Sequence, residues 1–527
     1  MYASVDGSSA HLNPISPASG SLREKCLISF TVLFGTVMVM ADISIVNVAL
    51  PHLMGAFAET QSAITWIVSS YIIAAVISLT MTGWLCTAFG RKQVYLTSFL
   101  VFIAASVVAG AAQTFPQMLF SRALQGIGGG TLIPISLAIV RETFPPRERP
   151  MAMAFYGMAL MISAGSAPVL GGWIIEHYGW PWIFYINLPI GLVGILLVKT
   201  YLRDPVYLKR GLKRVDWIGI LLLAIGLITT QIVLERGQEN GWFESRAITI
   251  GAVIGLTALL LLVFQQLRSR EPVVNLRLLD NKTLAAGCVI GVTLGTTYHG
   301  TTFLLPQFTQ NLLGYPPFQS GIALLPRVLA HIIFMPAAGF LYYRIGPRTS
   351  AILGSLFQVW SFYELSRLSL EAGLSTLAPI LILTGLGLPF IHIAVSTATF
   401  DQTRQENMTE ASSLFSLSHH IGANLGYAIM STVVARRIFF HRLNLISNVH
   451  LFNSAFLETR LALRERVGDG LEGSLGDDRA LALIDSLVNA QASMLAYNDV
   501  AWLLAVLSVA AIPFCFFFPS TKLSFAN

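Results

Sequence analysis

The chain has 527 residues, 54% of them hydrophobic and only 11% charged, whereas soluble domains carry about 25% charged residues. Its formal net charge of +6 comes from 33 Lys and Arg against 27 Asp and Glu, with no basic block of five or more to form a nucleic-acid patch. Four scattered cysteines, Cys26, Cys86, Cys288 and Cys515, make no CxxC or His/Cys cluster, so metal and redox centres have no support.

In chain order, a Ser-, Pro- and Gly-rich tail comes first and long apolar runs follow. No charge falls between Lys92 and Arg122, Lys282 and Arg327, Glu371 and Asp401, or Glu410 and Arg436. Uncharged apolar stretches of about eighteen residues or more read as membrane helices. The runs predict fourteen spans, at 27–50, 63–86, 94–112, 116–140, 151–175, 181–201, 215–234, 247–267, 284–312, 318–343, 350–366, 376–400, 411–435 and 498–518. The first lacks a small-residue cleavage site at its end and is expected to be a retained span. The fold class expected is an all-α integral membrane protein. With the N-terminus cytoplasmic, 21 basic residues fall inside, Lys213 and Arg214 among them, and three (Arg236, Arg246, Arg367) in short outer loops. The positive-inside rule therefore places both termini in the cytoplasm.

An internal repeat runs through the chain. Gly83-Trp-Leu-Cys-Thr-Ala-Phe-Gly90-Arg91-Lys92 after the second span is answered by Gly339-Phe-Leu-Tyr-Tyr-Arg-Ile-Gly346-Pro-Arg348 after the tenth. Gln125-Gly126-Ile-Gly128 is answered by Thr384-Gly385-Leu-Gly387, and Pro51 by Pro306. Such symmetry is typical of transporter folds. It divides the chain into a cytoplasmic tail (1–26), a first six-helix bundle (27–201), a linker with two extra helices (202–283), a second six-helix bundle (284–518, with a periplasmic loop at 437–497) and a cytoplasmic tail (519–527).

These motifs, with Asp42-Ile-Ser-Ile-Val-Asn47-Val-Ala-Leu-Pro51, Trp66 to Tyr71, Arg122-Ala-Leu-Gln125-Gly126, Ala167-Pro168-Val-Leu-Gly171-Gly172 and Trp182-Ile-Phe-Tyr-Ile-Asn187-Leu-Pro189-Ile-Gly191, resemble the major facilitator superfamily. Within it they resemble the fourteen-span drug:proton antiporters of the multidrug export protein B (EmrB/QacA) type. Two departures stand out: Thr87 and Ala88 where the family's first gating loop carries an acid and Arg, and Ala167-Pro168 where it reads Gly-Pro. The resemblance implies the major facilitator fold, two six-helix bundles plus two inserted helices. It also implies an inner (plasma) membrane exporter of hydrophobic drugs or toxic compounds, driven by the proton gradient without a cofactor. Its expected partners are lipid, protons, a hydrophobic small molecule and, in a cell with two membranes, a periplasmic adaptor and outer-membrane channel. Export of a specific metabolite or siderophore by the same machinery, or a non-transporting receptor or scaffold, are the alternatives.

Asp42 is the one acidic residue well inside a span, where a carboxylate costs at least about 2.5 kcal/mol. Desolvation favours its neutral form and a nearby cation its anion, so an Asp between the two can load and release a proton. A helix-packing hydrogen bond is the plainer alternative. Arg122 is the natural counter-charge; bracing backbone carbonyls is its alternative role. Trp66, Tyr71, His299, Phe303, Gln307 and Gln310 would suit an apolar cavity with few polar anchors. Gly83, Gly90, Arg91, Lys92, Gly339, Gly346 and Arg348 are candidate gate residues, and Gly165, Pro168, Gly171 and Gly172 a candidate interface on which the halves rock. His331, His392, His419 and His420 are further intramembrane histidines, and Arg327 is expected to snorkel from the outer part of its span. Gly126 and Gly128 to Gly130 follow no strand and no Gly-Lys pair occurs, which removes nucleotide binding; no catalytic constellation is present, so no enzyme is expected.

Overall fold

The computed structural model describes residues 21–59, 61–204, 216–237, 240–269, 272–447, 449–450, 452–467 and 474–520. The tail to residue 20, Lys213, Arg214 and residues 521–527 lie outside them. Among the described residues the regular structure is helical, without a strand. The first half comprises α1 (Leu22–Phe57), α2 (Trp66–Phe89), α3 (Arg91–Gly110), α4 (Phe115–Thr143), α5 (Arg149–Tyr178) and α6 (Asn187–Tyr201). Two further helices follow, α7 (Trp217–Arg236) and α8 (Arg246–Arg268), packed on each other. The second half comprises α9 (Lys282–Gln307), α10 (Pro317–Leu365), α11 (Leu374–Ala398), α12 (Met408–Ile446), α13 (Ser454–Val467) and α14 (Ser474–Cys515).

Local chemistry sets many of the ends. Ser21 caps α1, Asp216 caps α7 and Asn281 caps α9 through side-chain oxygens on early backbone N–H groups. Thr114 and Gln117 form a reciprocal capping box on α4, with Pro116 in its first turn. Gly90 (φ 90, ψ 148) turns the chain between α2 and α3, and Gly346 (φ 79, ψ 169) breaks α10 at the matching place. Only glycine occupies this backbone region readily, so the repeated glycine marks the same corner in both halves.

Close helix packing repeats too. A Cβ on Gly126 would collide with the Tyr71 carbonyl, and one on Gly385 with the Arg327 carbonyl. Gly128 lies against the Ser98 carbonyl as Gly387 lies against that of Gly354. The repeat thus pairs α2 with the first part of α10, α3 with its second part and α4 with α11.

Among the described residues, eleven helices are long and apolar enough to cross a membrane. The expected tenth and eleventh spans lie on either side of Gly346, where the backbone is not helical. One departure from the expected elements has a physical reason. The expected outer loop is largely helical: α12 runs on to Ile446 and α14 begins at Ser474 instead of 498. Arg, Ala, Leu and Glu sustain a helix in water as well as in lipid, so charge there signalled the end of the hydrocarbon and not the end of the helix.

Candidate functional site

At the centre of the first half, Asp42 (1% exposed) meets Arg122 (1% exposed). Arg122 Nη1 donates to Asp42 Oδ2 at 2.7 Å and to Gln125 Oε1 at 2.7 Å, while its Nε donates to the Ile67 carbonyl at 3.1 Å. Asn187 Nδ2 (2.9 Å) and Gln125 Nε2 (3.3 Å) donate to Asp42 Oδ1. Both amides also reach Ser106 Oγ, at 3.3 and 2.7 Å respectively. The guanidinium carbon lies 4.5 Å from the Tyr71 ring centroid and 6.0 Å from that of Phe184. Asp42 and Arg122 thus tie α1 to α4, and the shell adds α2, α3 and α6. Sequence reasoning found the charged pair but gave no role to Gln125, Asn187 or Ser106, since neutral polar residues are common in membrane spans. Tyr71, expected in a cavity, belongs to this ion-pair site.

Ion pairs gather at the end of the bundle where α1 begins, the basic end. Arg91 Nη1 pairs with Glu142 Oε2 at 2.5 Å, both side chains buried. Lys92 donates its backbone N–H to Asp204 and its Nζ to the Lys199 carbonyl, both at 2.8 Å. In the second half, Arg348 Nε donates to the Phe518 carbonyl at 3.1 Å. Gly83 admits Glu410 of α12, whose Cγ lies 2.5 Å from where a Cβ would stand. Most informative is Arg141, counted from sequence as one more inner basic residue. It is buried at 1% exposure and spans the two halves, donating to the Thr397 carbonyl at 2.5 Å and Asp401 Oδ1 at 2.9 Å. Nearby, Ser412 Oγ donates to the Pro134 carbonyl at 3.1 Å.

The interface glycines differ among themselves. Gly165 faces Val328 of the second half, Gly171 faces Ile45 of its own half, Gly172 has nothing within 4 Å, and Gly339 faces Ala154 across the halves. The Pro168 side chain lies outside the described residues.

The other cavity candidates do not converge on one place. Arg236 stacks on Trp66 at 5.5 Å, at the start of α2. Gln310 is exposed in the wide turn that ends α9 and donates to Ser320 Oγ at 3.3 Å; Gln307 is half-buried. The Phe303 side chain lies outside the described residues. His299 Nδ1 is 3.3 Å from Tyr427 Oη, with the His419 ring at 5.7 Å. Arg327 corrects the snorkelling expectation: it is 8% exposed and turned inward over the Tyr298 ring at 4.8 Å. Sequence gives a residue's depth along a helix more readily than the face it occupies.

The site thus combines a buried ion pair among helices, glycine-mediated packing in register between two repeated halves and polar bonds crossing between them. Residues 32–427 match the model of the Major Facilitator Superfamily, and the chain belongs to that family. It is a multi-pass membrane transporter and not an enzyme. The multidrug export protein EmrB of Escherichia coli is 28% identical over 484 residues, covering 91% of this chain and 92% of that one. EmrB of Haemophilus influenzae is 28% identical over 488 residues, covering 91% and 93%. The crystal structure of the human organic anion transporter TETRAN shares the fold, with a TM-score of 0.59 at 14% identity over 92% of this chain and 99% of that one.

Proposed function

We propose that the protein is a proton-coupled exporter of hydrophobic small molecules, working by alternating access in the inner membrane with both termini cytoplasmic. The observation that carries this reading is the Asp42–Arg122 pair, buried at 2.7 Å with every Asp42 oxygen hydrogen-bonded. A scaffold gains nothing from two charges in so costly a place. In a carrier, a proton arriving at Asp42 cancels the attraction that ties α1 to α4, and its departure restores it. Loss of that tie is the local event to which the rocking of the halves is coupled.

The polar bridges between the halves (Arg141 to Thr397 and Asp401, Ser412 to Pro134) lie at the basic end. With that end cytoplasmic, they support a state closed to the cytoplasm. Asp42 would receive its proton from outside, the bridges would part, and the proton would leave inward as substrate loads. One proton crossing 100 mV supplies about 2.3 kcal/mol. That sustains a gradient of roughly fifty-fold for a neutral substrate. The resemblance to the multidrug export proteins supports hydrophobic drugs and toxic compounds as cargo. We propose fourteen spans, counting α10 twice and including the more polar α9 and α12. At 42 residues, α14 is about 60 Å long against a hydrocarbon core of about 30 Å. Its extension beside α12 and α13 is the surface offered to a periplasmic adaptor.

The test is proton release. Everted vesicles are given an inward pH gradient, acid inside, and a hydrophobic dye is added outside. Dissipation of the gradient on addition, dependent on the protein, is expected; a gradient indifferent to every dye tried would refute export of hydrophobic dyes and favour a scaffold or an exporter of one specific metabolite.

A further inference from the structure

The two halves treat their buried cations differently. In the first half Arg122 is neutralised by Asp42 at 2.7 Å. In the second, glycine packing makes Arg327 the counterpart of Tyr71, because Gly385 lies on the Arg327 carbonyl as Gly126 lies on that of Tyr71. By the same repeat, the places of Arg122 and Asp42 are taken by Leu381 and Thr297, both buried and neither charged. Arg327 is therefore a buried cation in a half with no acid at the place that matches Asp42.

Its protein partners do not fill the gap. Of five guanidinium donors, Nη2 reaches the Tyr298 carbonyl at 3.5 Å, and no carboxylate pairs with Arg327 among the described residues. Besides that carbonyl, the polar groups near it include imidazoles. His331, one turn along α10, is 5% exposed with Nδ1 unpartnered, and His392 of α11 holds a buried, unpartnered Nε2. The group stands where the halves meet. Tyr298 Oη donates to Met161 Sδ of α5 at 3.5 Å, and a Cβ on Gly157 of α5 would lie 3.2 Å from His392 Nε2. Apolar Met335 and Val328 border the same stretch of α5.

A cation this nearly buried is unfavourable without a counter-ion, and a charge that comes and goes would supply one. We propose that Arg327, with His331 and His392 beside it, binds the anionic head of the transported substrate, and that the substrate class is amphipathic monocarboxylates. A single guanidinium matches one carboxylate through two parallel hydrogen bonds, and the buried Met335 and half-buried Val328 would border an apolar tail. This rests on the export reading above and names the cargo that reading leaves open.

The purified full-length protein in nanodiscs is titrated with three probes sharing one tail: a dansylated undecanoic acid, its methyl ester and the matching undecylamine. At about pH 8 the acid is anionic and the amine cationic. The acid should bind at least about tenfold more tightly than either analogue. Arg327→Gln should bring the acid down to the ester's affinity, and Arg327→Lys should keep the preference for the acid. Equal or tighter binding of the amine by the wild-type protein would overturn the assignment, as would an intact acid preference in folded Arg327→Gln. Should Arg327→Gln fail to fold, the wild-type ranking and Arg327→Lys decide. Proton-driven transport of the same probes in proteoliposomes separates the two ideas. An ester moved uphill without acid preference leaves export standing and removes this site; Arg327-dependent acid binding without uphill transport does the reverse.

Discussion

Replacing Arg141 with Ala removes the polar bridge between the halves at the basic end, the proposed cytoplasmic gate. Its hydrogen bond to the Thr397 carbonyl, 2.5 Å long and buried, contributes about 1.5–3 kcal/mol as a charged bond. The pair with Asp401 at 2.9 Å adds less than about 1 kcal/mol, because that carboxylate side chain is 36% exposed. Stacking over Phe400 at 5.3 Å adds about 0.5–1 kcal/mol. About 3 kcal/mol lost from the closed state shifts its balance with the open one roughly a hundredfold. Native cysteines report it. Cys86 and Cys288 are buried in the apolar cluster that joins the halves at this end, Cys26 is exposed, and Cys515 is buried within the second half. Maleimide labelling of Cys86 and Cys288 should accelerate at least tenfold relative to Cys26, with Cys515 still protected. Unchanged labelling in a folded Arg141→Ala protein would refute the gate; simultaneous exposure of Cys515 would point to unfolding instead.

Three further substitutions and one control probe other parts of the structure. Gly130→Ala forces a methyl into the Ala75 carbonyl of α2, a backbone atom that cannot swing away, and should cost about 1–3 kcal/mol, read as a lowered unfolding midpoint of the purified protein. Gly346→Ala puts a side chain at φ 79, ψ 169 and should cost about 1–3 kcal/mol by the same measurement, whereas Gly321→Ala, with open space around it, should not lower the midpoint through any clash. Asn187→Leu takes away the 2.9 Å donor to Asp42 Oδ1 and should destabilise the protein by about 1–3 kcal/mol while slowing uphill transport. A normal uphill rate would show that the amide shell plays no part in coupling.

Much of the fold was legible because charge is expensive in hydrocarbon: its absence traced the spans, and the repeated Gly-x-Leu-x4-Gly placed matching corners at Gly90 and Gly346. The pairing of Asp42 with Arg122 was expected on the same ground. What sequence left out had no such signature. Gln125 and Asn187 are neutral, and α9 and α12 carry enough Thr, Ser and His to fall short of the apolar character of the other spanning helices. Arg141 looked like one more basic residue at the end of a span, because a rule that counts charges per side cannot tell a solvated Arg from one locked between halves. Arg327 was misplaced for a related reason: depth follows from position in the run, but facing depends on which helix lies opposite.

The most direct measurement is uphill transport by Asp42→Asn in proteoliposomes with an imposed pH gradient, beside exchange of labelled for unlabelled substrate without one. Asparagine keeps the shape of the site but cannot carry the proton or the charge that holds Arg122. The account predicts exchange retained and accumulation against the gradient abolished. Accumulation equal to that of the wild-type protein would contradict it.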